Sequence, residues 1–140
     1  MNNDREPLVI FNQQGHIHIG TVCASKVLKT INIAEFGNEV LEYIKAHPGL
    51  NLLLNFESVD YLSSAVLTEL LRINQAMAQV RGRLRLCAIS PTIREIFEIT
   101  RLDSVFSIHG ENIALDLKRF ERAIEIEEEE ALWKNAGPKG

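Results

Sequence analysis

Cysteine is scarce in this 140-residue chain, and Cys23 and Cys87 stand far apart, outside any CxxC or Cys/His ligand spacing. A disulfide framework and a zinc site therefore have no basis in the sequence, and the pair reads as two buried thiols in a reducing compartment. No apolar run approaches the ~20 residues that span a bilayer. The opening MNNDREPLVIF has neither the basic start nor the apolar stretch of a signal peptide, so a cytoplasmic protein without membrane insertion is expected. Basic charge is not in excess either. The formal net charge is −4, which argues against direct nucleic-acid binding, since that rests on Lys and Arg neutralising phosphates. Missing as well are GxxxxGK[ST], a GxGxxG after a strand, and HExxH. No cofactor, no metal and no enzymatic activity are expected.

What is present is an ordinary globular composition, 46% apolar, with room for one core. Strand-forming residues at 8–11 and 17–22 flank the turn-forming Asn12-Gln13-Gln14-Gly15, which predicts a hairpin. In its second strand Ile17, Ile19 and Thr21 alternate with His16, His18 and Val22, so one face should be solvated. His16 and His18 have no third ligand at metal spacing and read as part of that wet face.

Asn32 and Glu35 resemble a capping box, and Phe36, Val40, Tyr43 and Ile44 carry a helix that stops at His47-Pro48-Gly49. Residues 50–56, LNLLLNF, are nearly all apolar and predict a strand buried on both faces. The strongest helix covers 64–80. Val66, Leu70, Ile73, Met77 and Val80 form its stripe, Leu67 and Leu71 widen it, and Thr68, Glu69, Arg72, Gln75 and Gln79 occupy the polar side. Gly82 ends it. A strand over 84–89 leads to Ser90-Pro91, a cap followed by a first-turn proline, then a short helix over 91–101 burying Ile93, Ile96 and Phe97. A strand over 105–108 precedes a helix built on Ile113, Leu117, Phe120 and Ile124. Strands alternating with helices after a hairpin predict a single α/β domain with a mixed sheet and about four α-helices. The domain is expected over 8–122. Residues 123–140 form an acidic extension, partly disordered at its very end, whose glutamates read as a solvated helix; the rival reading is a docking tail anchored on Leu132 and Trp133.

The junction VDYLSSAVL, residues 59–67, passes from a buried strand into the most amphipathic helix. Helix N-terminal N–H groups need acceptors, and Ser63 or Ser64 can supply one as an N-cap. A hydroxyl there also sits where added negative charge is tolerated, because the helix N-terminus is electropositive. Phosphate at that point would leave the fold intact and repel a partner bound over it. A hydrolase nucleophile elbow does not fit, since it requires small residues two positions either side of the serine, whereas Ser64 has Leu62 and Val66 and Ser63 has Tyr61 and Ala65.

Residues 52–65, LLLNFESVDYLSSA, and 82–106, GRLRLCAISPTIREIFEITRLDSVF, resemble the STAS domain of bacterial anti-sigma factor antagonists, and the resemblance extends over about 8–122. It implies a partner-switching protein that binds an anti-sigma factor acting also as a serine kinase, is released when that kinase phosphorylates it, and is reset by a phosphatase. The site implied is Ser64, with Ser63 second, and the partner contacts are Tyr61, Leu62, Ser63, Ser64, Thr68, Glu69, Arg72 and Gln75. Where the clearest phospho-acceptors of the family read Asp-Ser-Ser-Gly, this chain has Ser63, Ser64, Ala65 and Val66, so alanine occupies the usually modified position. Asn55 stands where aspartate is frequent. The alternative implied is a STAS subunit that does not switch, in a signalling assembly or a lipid-transport complex. A homodimer is one arrangement open to either.

Overall fold

The computed structural model describes residues 7–23, 32–108 and 112–136. Its elements run β1 (Val9–Gln14), β2 (Ile17–Val22), α1 (Ile33–Ala46), β3 (Asn51–Asn55), α2 (Ser64–Gln79), β4 (Arg83–Cys87), α3 (Pro91–Ile99), a 3-10 turn (Leu102–Ser104), β5 (Ser107–Ile108) and α4 (Ile113–Ala136). The strands lie in the order β1-β2-β3-β4-β5. The β1–β2 pair is antiparallel and every later pair is parallel, the mixed sheet that the element order predicts.

Every residue of β3 is buried, because parallel ladders flank it on both edges and helices cover both faces. Leu52 and Leu54 point into the larger core, shared with Phe36 and Val40 of α1, Leu70 and Ile73 of α2, and Ile93 and Phe97 of α3. Leu53 points the other way, to Ile17, Ile19, Cys87, and Phe120 and Ile124 of α4. Among the described residues, three helices therefore line one face and α4 lines the other. Each buried leucine contributes about 1.5–3 kcal/mol relative to exposure.

The hairpin turn is tighter than its composition suggests. The β1 strand continues through Asn12, Gln13 and Gln14, leaving only Gly15 and His16 between Gln14 and its partner Ile17. Gly15 takes φ +60°, a conformation glycine adopts without penalty.

The expected wet face of β2 stays exposed at His16, in the turn, but is dry at His18 and Val22. His18 and Gly20 are buried like Ile17 and Ile19; α4 covers the isoleucines, whereas α1 lays Tyr43 over the His18 face. The Tyr43 ring stacks on Phe11 at 3.8 Å and on His47 at 4.2 Å, and its hydroxyl lies 2.6 Å from His18 Nδ1. Burial and the positive potential of nearby His47 hold the His18 pKa below 6.5. His18 is thus neutral at pH 7, and the Tyr43 O–H donates to it.

Two other local expectations change. Asn32 occupies the N-cap of α1 but its side chain makes no capping hydrogen bond. Cys87 is buried, whereas Cys23 is only partly so. Burial first, then the charges of Asp116 and Glu57, push the Cys87 thiol up to about 12.

At the C-terminus of α2 the Arg81 N–H donates to Ala78 O at 3.1 Å and the Gly82 N–H to Met77 O at 2.9 Å, a Schellman closure. The left-handed residue is Arg81, at φ +58°, so Gly82 is required for close approach instead. A Cβ on it would lie 2.5 Å from Leu50 O and 2.6 Å from Met77 Cε.

The last strand shortens to Ser107–Ile108, since the N–H groups of Val105 and Phe106 both donate to Leu102 O and belong to the preceding 3-10 turn. Helix α4 runs unbroken through the expected boundary at 122, with Ile124 in the core. Arg83 ties it to the sheet, pairing with Glu127 and donating to Asn51 Oδ1 at 3.0 Å. Of the end expected to be disordered, residues 135–140, Asn135 and Ala136 continue α4 and residues 137–140 lie outside the described residues. Among those described, no helix is long and apolar enough to cross a membrane.

Two outcomes follow from these contacts. Gly82→Ala should lose about 1–3 kcal/mol in urea denaturation, because backbone at Leu50 O cannot yield as a flexible side chain would; an unchanged midpoint would refute the close-approach constraint. For His18 the unfolded chain takes up a proton near pH 6.5 and the folded chain only at lower pH. Stability is therefore complete above that value and falls as pH drops below about 6.5. Unfolding curves taken at intervals from pH 7.5 to 5.5 should display the loss, and His18→Phe should flatten it.

Candidate functional site

The loop from β3 into α2 is fixed at three points. The Phe56 N–H donates to Cys87 O at 3.0 Å, extending the β3–β4 ladder past the strand end, and the Val59 N–H donates to Phe56 O at 2.9 Å. Buried Asn55 then organises the turn. Its Nδ2 donates to Glu57 Oε1 at 3.2 Å, while its Oδ1 accepts the Glu57 backbone N–H at 3.1 Å. An aspartate here would set two carboxylates against each other, which gives the amide a physical reason. Val59 and Leu62 pin the far half of the loop into the core, and Tyr61 between them is 57% exposed.

The two serines divide their work. Ser63 is the N-cap of α2, extended at φ −87° and ψ 166°. Its Oγ accepts the Val66 N–H at 3.3 Å and its carbonyl accepts the Leu67 N–H at 3.1 Å. Ser64 is the first helical residue and is exposed. The next turn is held locally, since Thr68 Oγ1 donates to Ser64 O at 3.1 Å.

Of the residues expected to meet a partner, Tyr61, Ser64, Thr68, Arg72 and Gln75 lie exposed and Ser63 is half-buried. Leu62 and Glu69 are buried. Leu62 anchors the loop, so its side chain faces the core and not the open surface. Glu69 departs from the polar side of the helix because α1 presents Gly37 to it. A Cβ at Gly37 would fall 1.9 Å from Glu69 Oε1, so the missing side chain makes the notch that receives the carboxylate. Its charge is met by Arg72 Nη1 at 2.5 Å.

Sequence periodicity assigned Leu71 to the core stripe, yet it is 40% exposed. It stands at seven residues from Ser64 and four from Gln75, on the outward line that also carries Thr68. The open face of α2 is thus Ser64, Thr68, Leu71, Arg72 and Gln75, an apolar centre ringed by polar groups, with Tyr61 beside its N-terminus. Beyond it, Leu41, Lys45, Arg72, Gln75, Ala76 and Gln79 line a shallow cleft of about 210 Å³ between α1 and α2. Among the described residues no group of three His, Cys, Asp or Glu side chains could hold a metal ion.

The second helix of this edge repeats the design. Ser90 caps α3 by accepting the Ile93 N–H at 3.2 Å, with Pro91 in the first turn. Both helix N-termini follow parallel strands, at the carboxyl edge of the sheet where α/β folds place their binding surfaces.

Comparison with known proteins agrees with this architecture. A family model for the STAS domain matches residues 11–119. Among curated proteins, a candidate anti-sigma factor antagonist of Bordetella bronchiseptica, BtrV, is 39% identical over 57 residues, which are 41% of this chain and 49% of that protein. The match thus spans about half of that relative's length. Among solved structures, an anti-sigma-factor antagonist (STAS) domain protein of Planctomyces limnophilus superimposes with TM-score 0.71 at 16% identity, over 81% of this chain and 97% of its own. A candidate anti-sigma factor antagonist of Thermotoga maritima gives 0.70 at 15% identity, over 81% and 94%. At such identities these two likenesses establish the fold.

The division between the serines is measurable. Ser63→Ala should cost about 1 kcal/mol of stability, the ordinary worth of an N-cap. Ser64→Ala should stay within about 0.5 kcal/mol, as exposed substitutions do. Equal losses from both in denaturant titrations would contradict the capping assignment.

Proposed function

The chain belongs to the STAS domain family, and from that premise we propose that it is a cytoplasmic anti-sigma factor antagonist working by partner switching. It binds an anti-sigma factor that is also a serine kinase, through Tyr61, Ser64, Thr68, Leu71, Arg72 and Gln75. The observation that carries this reading is the exposed Ser64 hydroxyl at the head of a rigid helix, next to an apolar patch that is small and ringed by polar groups. Such a face resembles the anchor-and-rim anatomy of protein interfaces.

Phosphate on Ser64 would rest at the electropositive end of α2, where it is compatible with the fold. It would bring close to two negative charges and three acceptor oxygens into the centre of the contact. Binding would weaken while the protein itself stayed folded. Ser63 is the lesser acceptor because its oxygen is already engaged by the Val66 N–H. The kinase supplies the nucleotide chemistry, and a phosphatase returns Ser64 to its binding state.

The trial is to incubate the purified protein with the anti-sigma factor kinase encoded near it and ATP, map the modified residue by mass spectrometry, and measure binding by calorimetry. Phosphate should appear on Ser64. Ser64→Glu should weaken the complex about tenfold or more, since like charges opposed across an interface cost above about 1.4 kcal/mol. Ser64→Ala should bind and resist modification. A stable complex without phosphate on either serine would favour the non-switching subunit, and absence of any complex would overturn the proposal.

A further inference from the structure

Helix α4 has a second face. The residues that meet the sheet are Ile113, Asp116, Leu117, Phe120 and Ile124. On the opposite side Leu115 is 46% exposed, Ile126 43% and Trp133 74%. Spacings of 11 and 18 residues are close to three and five whole turns, so these three side chains fall on one line along the helix, about 27 Å from end to end. That line points away from the rest of the protein.

Charge along the same helix is sorted by position. Lys118, Arg119 and Arg122 precede residue 124, and Glu125 and residues 127–130 follow it; Glu121 and Lys134, which break the order, lie well round the helix from the apolar line, and Asp116 is buried. The row Lys118, Arg122, Glu125 and Glu129 flanks the apolar line on one side, while Arg119 and Glu130 flank it on the other. Arg122 and Glu125 approach within 3.8 Å in the single chain, but both are more than two-thirds exposed. Such a pair is worth little in water and exchanges its partners freely.

Both patterns share one centre. Leu115 and Trp133 are equally distant from residue 124, and the midpoints of Lys118 with Glu129, Arg122 with Glu125, and Arg119 with Glu130 all fall within one residue of it. A two-fold axis perpendicular to the helix at that point turns a second copy end for end and brings like flanks together. Leu115 then meets the partner's Trp133, and each basic residue named meets a glutamate of the other copy. A parallel pairing would instead oppose glutamate run to glutamate run, which disfavours it.

We propose that α4 pairs antiparallel with α4 of a second copy of this chain, forming a two-fold dimer through Leu115, Ile126 and Trp133 and the charges beside them. One helix pair of this length lies in the size class of weak, transient interfaces, so the dimer depends on concentration and weakens at high salt. The surface lies on the opposite side of the sheet from α2 and leaves Ser64 open in both copies. The inference does not rest on the switching mechanism.

Sedimentation equilibrium of the full chain tests it, together with the emission of Trp133, the single tryptophan. The unaltered protein should pass from monomer to dimer with rising concentration as its emission shifts to the blue. Lys118→Glu with Arg122→Glu, and separately Glu125→Lys with Glu129→Lys, should each remain monomeric where the unaltered protein is dimeric, with helix content by circular dichroism unchanged. An equimolar mixture of the two variants should recover both dimer and blue shift, because each then presents the charges the other lacks. A monomeric unaltered protein at hundreds of micromolar, variants that still dimerise alone, or a mixture that stays monomeric would each overturn the proposal.

Discussion

Everything in this protein is arranged around a strand that water cannot reach. The backbone of β3 has no route to solvent on either face, so its N–H and C=O groups are satisfied by two parallel ladders, to β2 and to β4. Parallel neighbours require crossovers, and the crossovers are α1 and α2 on one face. The far face then needs its own cover, which among the described residues α4 provides. The position of Ser64 follows from the same constraint, since the chain leaving β3 turns through residues 56–63 at the carboxyl edge of the sheet and begins its helix there.

Polar groups within this dry interior are handled unevenly. Asn51 donates to His16 O at 3.0 Å and accepts from Arg83, so one amide joins the hairpin turn, the central strand and β4. Asn55 does the corresponding work at the other end of the strand. Asp116 is different. It is buried against the sheet, and neither of its oxygens has a hydrogen-bond partner among the described residues; Arg119 stands 4.0 Å from one of them. Burying a carboxylate without hydrogen bonds opposes folding, and the charges of Arg119 and Arg85 offset part of that cost. The field of Asp116 reaches Cys87, where it adds to burial in keeping the thiol protonated.

Much of this was legible in the chain because it is local. The run LNLLLNF announced a strand covered on both sides, Ser90-Pro91 announced a capped helix, and the junction around Ser63 announced the start of α2. What was not legible depended on partners distant in sequence. His18 is dry because Tyr43, 25 residues later, folds over it. Glu69 and Leu71 exchange the places that periodicity gave them because α2 packs against α1 as well as the sheet. Its buried arc widens toward Gly37, where a glutamate fits, and turns Leu71 outward. A hydrophobic stripe records how much surface a helix buries, but not on which side a second neighbour will extend it. The serine pair was found readily for the same reason that Leu71 was missed, since capping is decided within one turn.

The ends of the sheet carry a last implication. On one margin β5 offers two residues. On the other, the N–H groups of Leu8 and Val9 are occupied by the Glu39 carboxylate at 3.0 and 3.2 Å, and β1 continues into Asn12, Gln13 and Gln14, polar residues all exposed. Among the described residues, Ile10 is the exposed large apolar side chain of β1, and neither margin is a long apolar template for another chain to add as a further strand. The molecule is thereby guarded against the open-ended stacking that leads to fibrils.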